Sequence, residues 1–150
     1  IPALSGAWWQ GTLCTDGTPR GYGVFEVDGD EVTWYYKSTG CDADHQMVVY
    51  AGAEYPEFEG QVVANVWAAD DNWKIEARFD GGKAQEMERF TAYDPQARVM
   101  YADREKLDHP YVYPSAADHF YRVVIPEGAK QVEVSATDSF GRRYTQNIIL

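Results

Sequence analysis

The sequence predicts an all-β fold: a two-layer antiparallel β-sandwich of about nine or ten short strands, with at most one short helix. Three observations carry this. The stretch from Gly21 to Lys37 reads as two β-rich runs joined by Asp28-Gly29-Asp30, and glycine supplies the positive φ such a turn needs. Trp73 to Phe79 alternates strictly, with Trp73, Ile75, Ala77 and Phe79 facing one way and Lys74, Glu76 and Arg78 the other. Period two over such a run means a half-buried strand. Turn-forming residues recur at close spacing along the rest of the chain.

In chain order, Ala7–Leu13 is the first strand candidate. Cys14–Gly21 is a loop carrying Asp16, Gly17 and Pro19, all turn formers. The hairpin runs out over Gly21–Val27 and back over Glu31–Lys37. Gln46–Ala51 and Gln61–Ala69 are further strands, the second ended by Asp70-Asp71-Asn72. After Trp73–Phe79, an Asp80-Gly81-Gly82 turn leads into Gln85–Ala92, the expected hairpin partner. Asp94 to Pro114 is the least regular region. It can hold one short helix, with Asp94 as N-cap and Pro95 at the first helical position. Tyr111–Pro114 reads as extended loop. His119–Ile125, Gln131–Thr137 and Arg143–Ile149 complete the set, with Ser139-Phe140-Gly141 in the last turn.

At 150 residues the chain fits one domain, residues 1–150, able to bury roughly 70% of its unfolded surface. The composition, 45% hydrophobic and 15% aromatic, is that of a folded globular protein. No apolar run is long enough for a membrane-spanning helix. The opening Ile1-Pro2-Ala3-Leu4 has neither initiator Met nor signal-peptide pattern, and is expected of a processed chain or, the favoured reading, a domain excised from a larger protein. The net charge of −11, without a Lys/Arg stripe, argues against nucleic acid or an anionic membrane surface as partner. Cys14 and Cys41 flank the hairpin. A bridge across the 26 residues between them would stabilise the fold by roughly 3–4 kcal/mol, and two buried thiols are the equal alternative.

Chemistry-bearing residues are sparse. There is no HExxH, Gly-rich phosphate loop or GxSxG elbow. The Asp108-His109 and Asp118-His119 steps do not make acid–base pairs by themselves, because adjacent strand residues point to opposite faces. The acidic groups Asp28/Asp30/Glu31, Asp42/Asp44 and Asp70/Asp71 sit at strand ends, where turn chemistry accounts for them without a metal. The aromatic runs Trp8-Trp9 and Trp34-Tyr35-Tyr36, with Trp67 and Tyr111/Tyr113, suit packing between sheets, a domain interface or stacking on a sugar.

The strings WWQGTLCTDGTPRGYGVFEVDG, VTWYYKSTG, QMVVY, VVANVWAADDNWKIE, MERFTAYDP, DHFYR and VEVSATDSFGRRYT resemble, in order and over nearly the whole chain, the C-terminal domain of bacterial calcineurin-like metallophosphoesterases of the Bacteroidetes type. The resemblance implies a β-sandwich appended to a separate catalytic domain in an exported protein, whether periplasmic, cell-surface or secreted. In such parents two divalent metal ions, held by Asp, His and Asn, activate water for phosphoester hydrolysis. The motifs that build that centre (Asp-x-His, GDxxD, GNHD/E, GHxH) are absent from this sequence, so no catalytic residue, metal ligand or cofactor is expected in this chain. The expected partner is the N-terminal phosphoesterase domain of the same polypeptide. Contacts to it, or to a ligand, are expected from Asp16, Thr18, Arg20 and Tyr22, from Trp8 and Trp9, and from Asp118, His119 and Arg122. The alternative is a module that binds a glycan or surface substrate through exposed Trp and Tyr.

Overall fold

A computed structural model describes residues 11–150. Residues 7–10 of the first expected strand, Trp8 and Trp9 among them, therefore lie outside the described residues. The last residue of that expected strand, Leu13, forms an isolated antiparallel bridge with Pro19. The fold is all-β, with ten strands in antiparallel sheets and one short α-helix among the described residues. The chain divides into two compact units, Ile1–Gln46 with Ala92–Ala117, and Met47–Thr91 with Asp118–Leu150.

The second unit is the sandwich. One sheet has the order β10 (Arg143–Ile149), β9 (Gln131–Thr137), β5 (Lys74–Phe79), β6 (Gln85–Glu86). The other has the order β3 (Met47–Ala51), β4 (Gln61–Val66), β8 (Ala116–Val124), β7 (Glu88–Tyr93). Val62, Ala64 and Val66 of β4 pack with Ile75 and Ala77 of β5 and Val132, Val134 and Ala136 of β9, all buried. The alternation expected at Trp73–Phe79 holds: Ile75, Ala77 and Phe79 are buried, while Lys74, Glu76 and Arg78 retain solvent contact. β4 is buried on both faces from Val62 to Val66, so its run is apolar but for Asn65. Its outer side lies in the sheet dressed by a chain of edge-on ring contacts, Tyr50–Tyr55–Phe58–Phe90–Phe120, with centroids 4.7–6.2 Å apart. Such contacts add about 0.5–1.5 kcal/mol each beyond buried area.

The Gln85–Ala92 run departs from expectation. Only Gln85 and Glu86 pair with β5, and Met87 still donates its N–H to the Ile75 carbonyl at 2.9 Å. Beyond Met87, which is buried, the chain switches into the other sheet as β7. A single strand cannot serve both layers, and the buried methionine at the switch anchors the crossing in the core.

Two aspartates fix the turns of this unit. Asp80 adopts φ 48°, tolerable for aspartate, and its carboxylate accepts the N–H groups of Lys130 and Gln131 at 3.2–3.3 Å. Asp138, buried, accepts the N–H groups of Phe140 and Arg142 at 2.9 and 2.8 Å and the Tyr144 hydroxyl at 3.1 Å.

The first unit holds the expected hairpin, β1 (Gly21–Asp28) and β2 (Glu31–Ser38), its turn narrowed to Gly29-Asp30 because Asp28 pairs with Glu31, with Gly29 at φ 59°. It also holds α1 (Pro95–Met100), capped as expected: the Asp94 carboxylate accepts Ala97 N–H at 2.9 Å, with Pro95 in the first turn. Ala97 and Tyr101 pack with Leu107 and Val112 as a small core.

Burial pushes the Tyr144 phenol up to about 12, and Asp138 beside it adds to the rise. A raised folded value means stability that is complete below the unfolded pKa near 10 and is lost as pH climbs toward 12. The urea midpoint is therefore expected to fall between pH 10 and 12 more steeply in the native chain than in Tyr144→Phe. Parallel slopes for the two proteins would refute this.

Candidate functional site

The loop from Leu13 to Arg20 is closed by its own backbone. Cys14 N–H donates to the Thr18 carbonyl at 2.7 Å, and Gly17 N–H to the Cys14 carbonyl at 3.1 Å. The Asp16 carboxylate accepts Thr18 N–H at 2.9 Å, an Asx turn of the kind aspartate favours. Arg20 is then tied on both sides: its N–H donates to Thr12 at 3.0 Å, and its carbonyl accepts from Thr39 at 2.8 Å.

Two tyrosine hydroxyls hold the loop from beneath. Tyr36, on β2, donates to the Pro19 carbonyl, and Tyr101, at the end of α1, donates to the Leu13 carbonyl at 2.8 Å. Both rings are buried. Burial pushes both phenols upward, with the nearby Cys14 and Asp16 adding to the rise and, for Tyr101, Arg20 opposing it. Two glycines make this packing fit. A Cβ at Gly21 would come within 2.5 Å of the Tyr36 ring and hydroxyl. One at Gly17, whose φ is +85°, would come within 2.1 Å of Asp94.

Asp16, Thr18 and Arg20 thus fall in one loop. The structure places Tyr22 on the adjacent strand with its side chain exposed. Within that loop Thr18 is fully buried, yet its Oγ1 has no hydrogen-bond partner. Arg20 is half-buried, and its Nε and Nη2 are likewise buried without a partner.

The remaining expected contacts sit in the sandwich unit, each engaged locally. Asp118 accepts from Arg89, which also pairs with Asp71. His119, buried, shares a 2.7 Å hydrogen bond between its Nδ1 and Asn65 Oδ1. Arg122 forks onto Glu88, Nε and Nη2 to the two carboxylate oxygens at 3.1 and 3.0 Å. The two Asp-His steps lie in different units, and His109 meets Tyr111 instead, Nδ1 to hydroxyl at 3.4 Å. Cys14 and Cys41 form no disulfide: Cys14 is a buried thiol inside the closed loop, and Cys41 a half-buried one past β2.

Sequence reasoning did not find a cleft of about 390 Å³ in the sandwich unit, lined by Asp70, Asp71, Trp73, Arg89 and Tyr121 among others. Nor did it give Tyr36 and Tyr101 their supporting roles. The cleft arises from the sheet switch at Met87, for which the sequence carries no turn signal.

Residues 1–144 match the family described as the C terminal of calcineurin-like phosphoesterase. The chain belongs to this family. No curated protein and no solved structure matches it. A C-terminal phosphoesterase domain implies a catalytic domain N-terminal to it as partner. The metal centre of such a domain does not fit the residues present, since the described residues include no cluster of three or more His, Cys, Asp or Glu able to hold an ion. No described helix is long and apolar enough to cross a membrane.

The Gly17 contact yields a paired test. Gly17→Ala is expected to cost at least about 2 kcal/mol through strain and overlap with Asp94. Gly29→Ala, also at positive φ but with nothing within 4 Å, is expected to cost about 1 kcal/mol from conformation alone. Equal urea midpoints for the two variants would show that Asp94 does not press on the loop.

Proposed function

We propose that this chain is the non-catalytic accessory domain of an exported, Bacteroidetes-type metallophosphoesterase, and that it packs on the two-metal catalytic domain and shapes its cleft. The observation that carries the reading is one face of the hairpin. Phe25 pairs with Trp34, rings 6.2 Å apart and nearly parallel, and Val27 pairs with Val32. Directly opposite residues share a face, so the four form one apolar stripe. Phe25, Val27 and Val32 are 59%, 69% and 53% exposed. A two-stranded hairpin is marginal on its own, and an apolar stripe with a charged rim fits a protein interface.

The rim supports the same partner. Asp28 stands directly opposite Glu31, with Glu26 and Asp30 alongside, and like charges so placed repel. A basic surface on the catalytic domain would relieve that repulsion. Tethering within one polypeptide supplies an effective concentration in the millimolar range, so a modest stripe suffices.

The test is phosphoester hydrolysis by the parent polypeptide with and without residues 1–150, and with the double variant Phe25→Ser, Trp34→Ser. On a small soluble ester both changes are expected to lower kcat/KM about tenfold or more, because a shift of roughly 1 Å at a catalytic cleft costs on the order of 100-fold. Unchanged turnover of the small ester, with loss confined to a polymeric or cell-surface substrate, would overturn the packing role. It would favour the second reading, a glycan-binding module, for which the exposed Tyr111 and Tyr113 speak.

A further inference from the structure

Two arginines of this chain, Arg122 and Arg89, present the same edge of the guanidinium to an acceptor. Nε–H and the adjacent Nη2–H point in parallel, and together they match two oxygens of one acceptor group. Arg122 places that edge on Glu88 at 3.1 and 3.0 Å. Arg89 places the same edge on Asp118, Nε to the carbonyl at 2.6 Å and Nη2 to the carboxylate at 3.2 Å. In Arg20 the same two nitrogens are buried and have no partner. Two residues earlier in the loop, the Thr18 hydroxyl is fully buried and also without one.

Leaving these donors empty is costly. A buried donor without an acceptor loses about 1–3 kcal/mol, and a charged one more. The loop nevertheless fixes the Arg20 backbone through its own N–H and carbonyl, with the tyrosine hydroxyls bonded to the nearby Leu13 and Pro19 carbonyls. A desolvated and unfilled fork on a fixed backbone is the arrangement that binding an acceptor would complete, since the backbone needs no further ordering.

We propose that the Nε–Nη2 edge of Arg20, with the Thr18 hydroxyl, is a receptor for one oxyanion. The group it takes is a carboxylate or a phosphate, held through two of its oxygens. Its source is a side-chain carboxylate of the catalytic domain or the phosphate of a substrate. The existence of the receptor stands on the loop alone; only the carboxylate source rests on the packing role given above.

The test follows the Arg20 Nε–H resonance by NMR, in the 150-residue chain titrated with inorganic phosphate and with acetate at constant ionic strength, and in the full-length parent. For a phosphate receptor, phosphate is expected to move the Arg20 Nε–H and the Thr18 and Arg20 backbone amides saturably. Arg20→Lys, which keeps the charge and loses the fork, then weakens binding at those amides about tenfold or more, and Thr18→Val weakens it less. For a carboxylate receptor, phosphate is silent, while Nε–H in the full-length parent exchanges with solvent at least 100-fold more slowly than in the chain. Phosphate binding unchanged in Arg20→Lys overturns the fork. Fast exchange of Nε–H in the parent together with no phosphate response overturns the receptor altogether. If that result accompanies the loss of kcat/KM on truncation, packing stands without the receptor. A phosphate response with unchanged turnover on truncation leaves the receptor standing without packing.

Discussion

Two phenol hydroxyls hold the part of the first unit that matters most. Tyr36 and Tyr101 reach the Pro19 and Leu13 carbonyls from different elements, a strand and a helix end. They satisfy acceptors at both sides of the loop between them and so reinforce a closure that its own backbone bonds begin. Each such bond is worth about 1 kcal/mol net, but losing one strands a buried carbonyl at a cost of about 1–3 kcal/mol. The hairpin, the helix and the loop are thereby coupled. Gly21 is required because Tyr36 crosses directly over it, and Gly17 because Asp94 presses against it while capping α1. Asp94 does two things at once: it caps a six-residue helix too short to persist alone, and it forms a wall of the loop.

The sandwich unit depends on ordinary burial. Its interior is built from small and branched residues, Val62, Ala64, Val66, Ile75, Ala77, Val132, Val134 and Ala136, which allow two sheets to approach closely. Bulk is moved to the outside of one sheet, where the Tyr50–Phe120 ring chain covers it. That division explains how a chain with 15% aromatic residues has an interior dominated by valine and alanine. It also leaves Asn65 fully buried beside His119, its Oδ1 sharing a 2.7 Å hydrogen bond with the imidazole Nδ1, as buried polar groups favour.

Much of the fold was legible because local chemistry and final structure agree. Asp28-Gly29 made the hairpin, Asp94-Pro95 made the helix start, and the Trp73–Phe79 alternation survived into burial. The Met87 switch was not legible, because a strand that changes sheets keeps its β character on both sides, and neither periodicity nor turn residues mark the crossing. The loop residues Asp16, Thr18 and Arg20 were found through their resemblance to a family. What sequence could not supply is that Arg20 lacks a partner while Arg122, with similar local chemistry, has one. That difference depends on which carboxylate the folded sheet brings opposite: Glu88 faces Arg122 across neighbouring strands, and among the described residues no acidic side chain bonds the fork of Arg20.

The charge of the chain bears on where an acceptor for Arg20 can come from. At −11 the protein repels free anions at long range, though screening confines this to about 8–10 Å in physiological salt. A free oxyanion must approach a surface whose loop already carries Asp16, and desolvate there. A carboxylate on a tethered domain meets the same local field, but its approach is intramolecular, and the apolar stripe Phe25–Trp34 contributes attraction independent of charge. In the proposed packing the acidic hairpin tip would filter orientation, since it would tolerate a basic surface and reject an acidic one. Under this arrangement the stripe supplies affinity and the tip excludes wrong poses. The proposed Arg20 receptor would add register, because a bidentate pair forms in one geometry and in no neighbouring one.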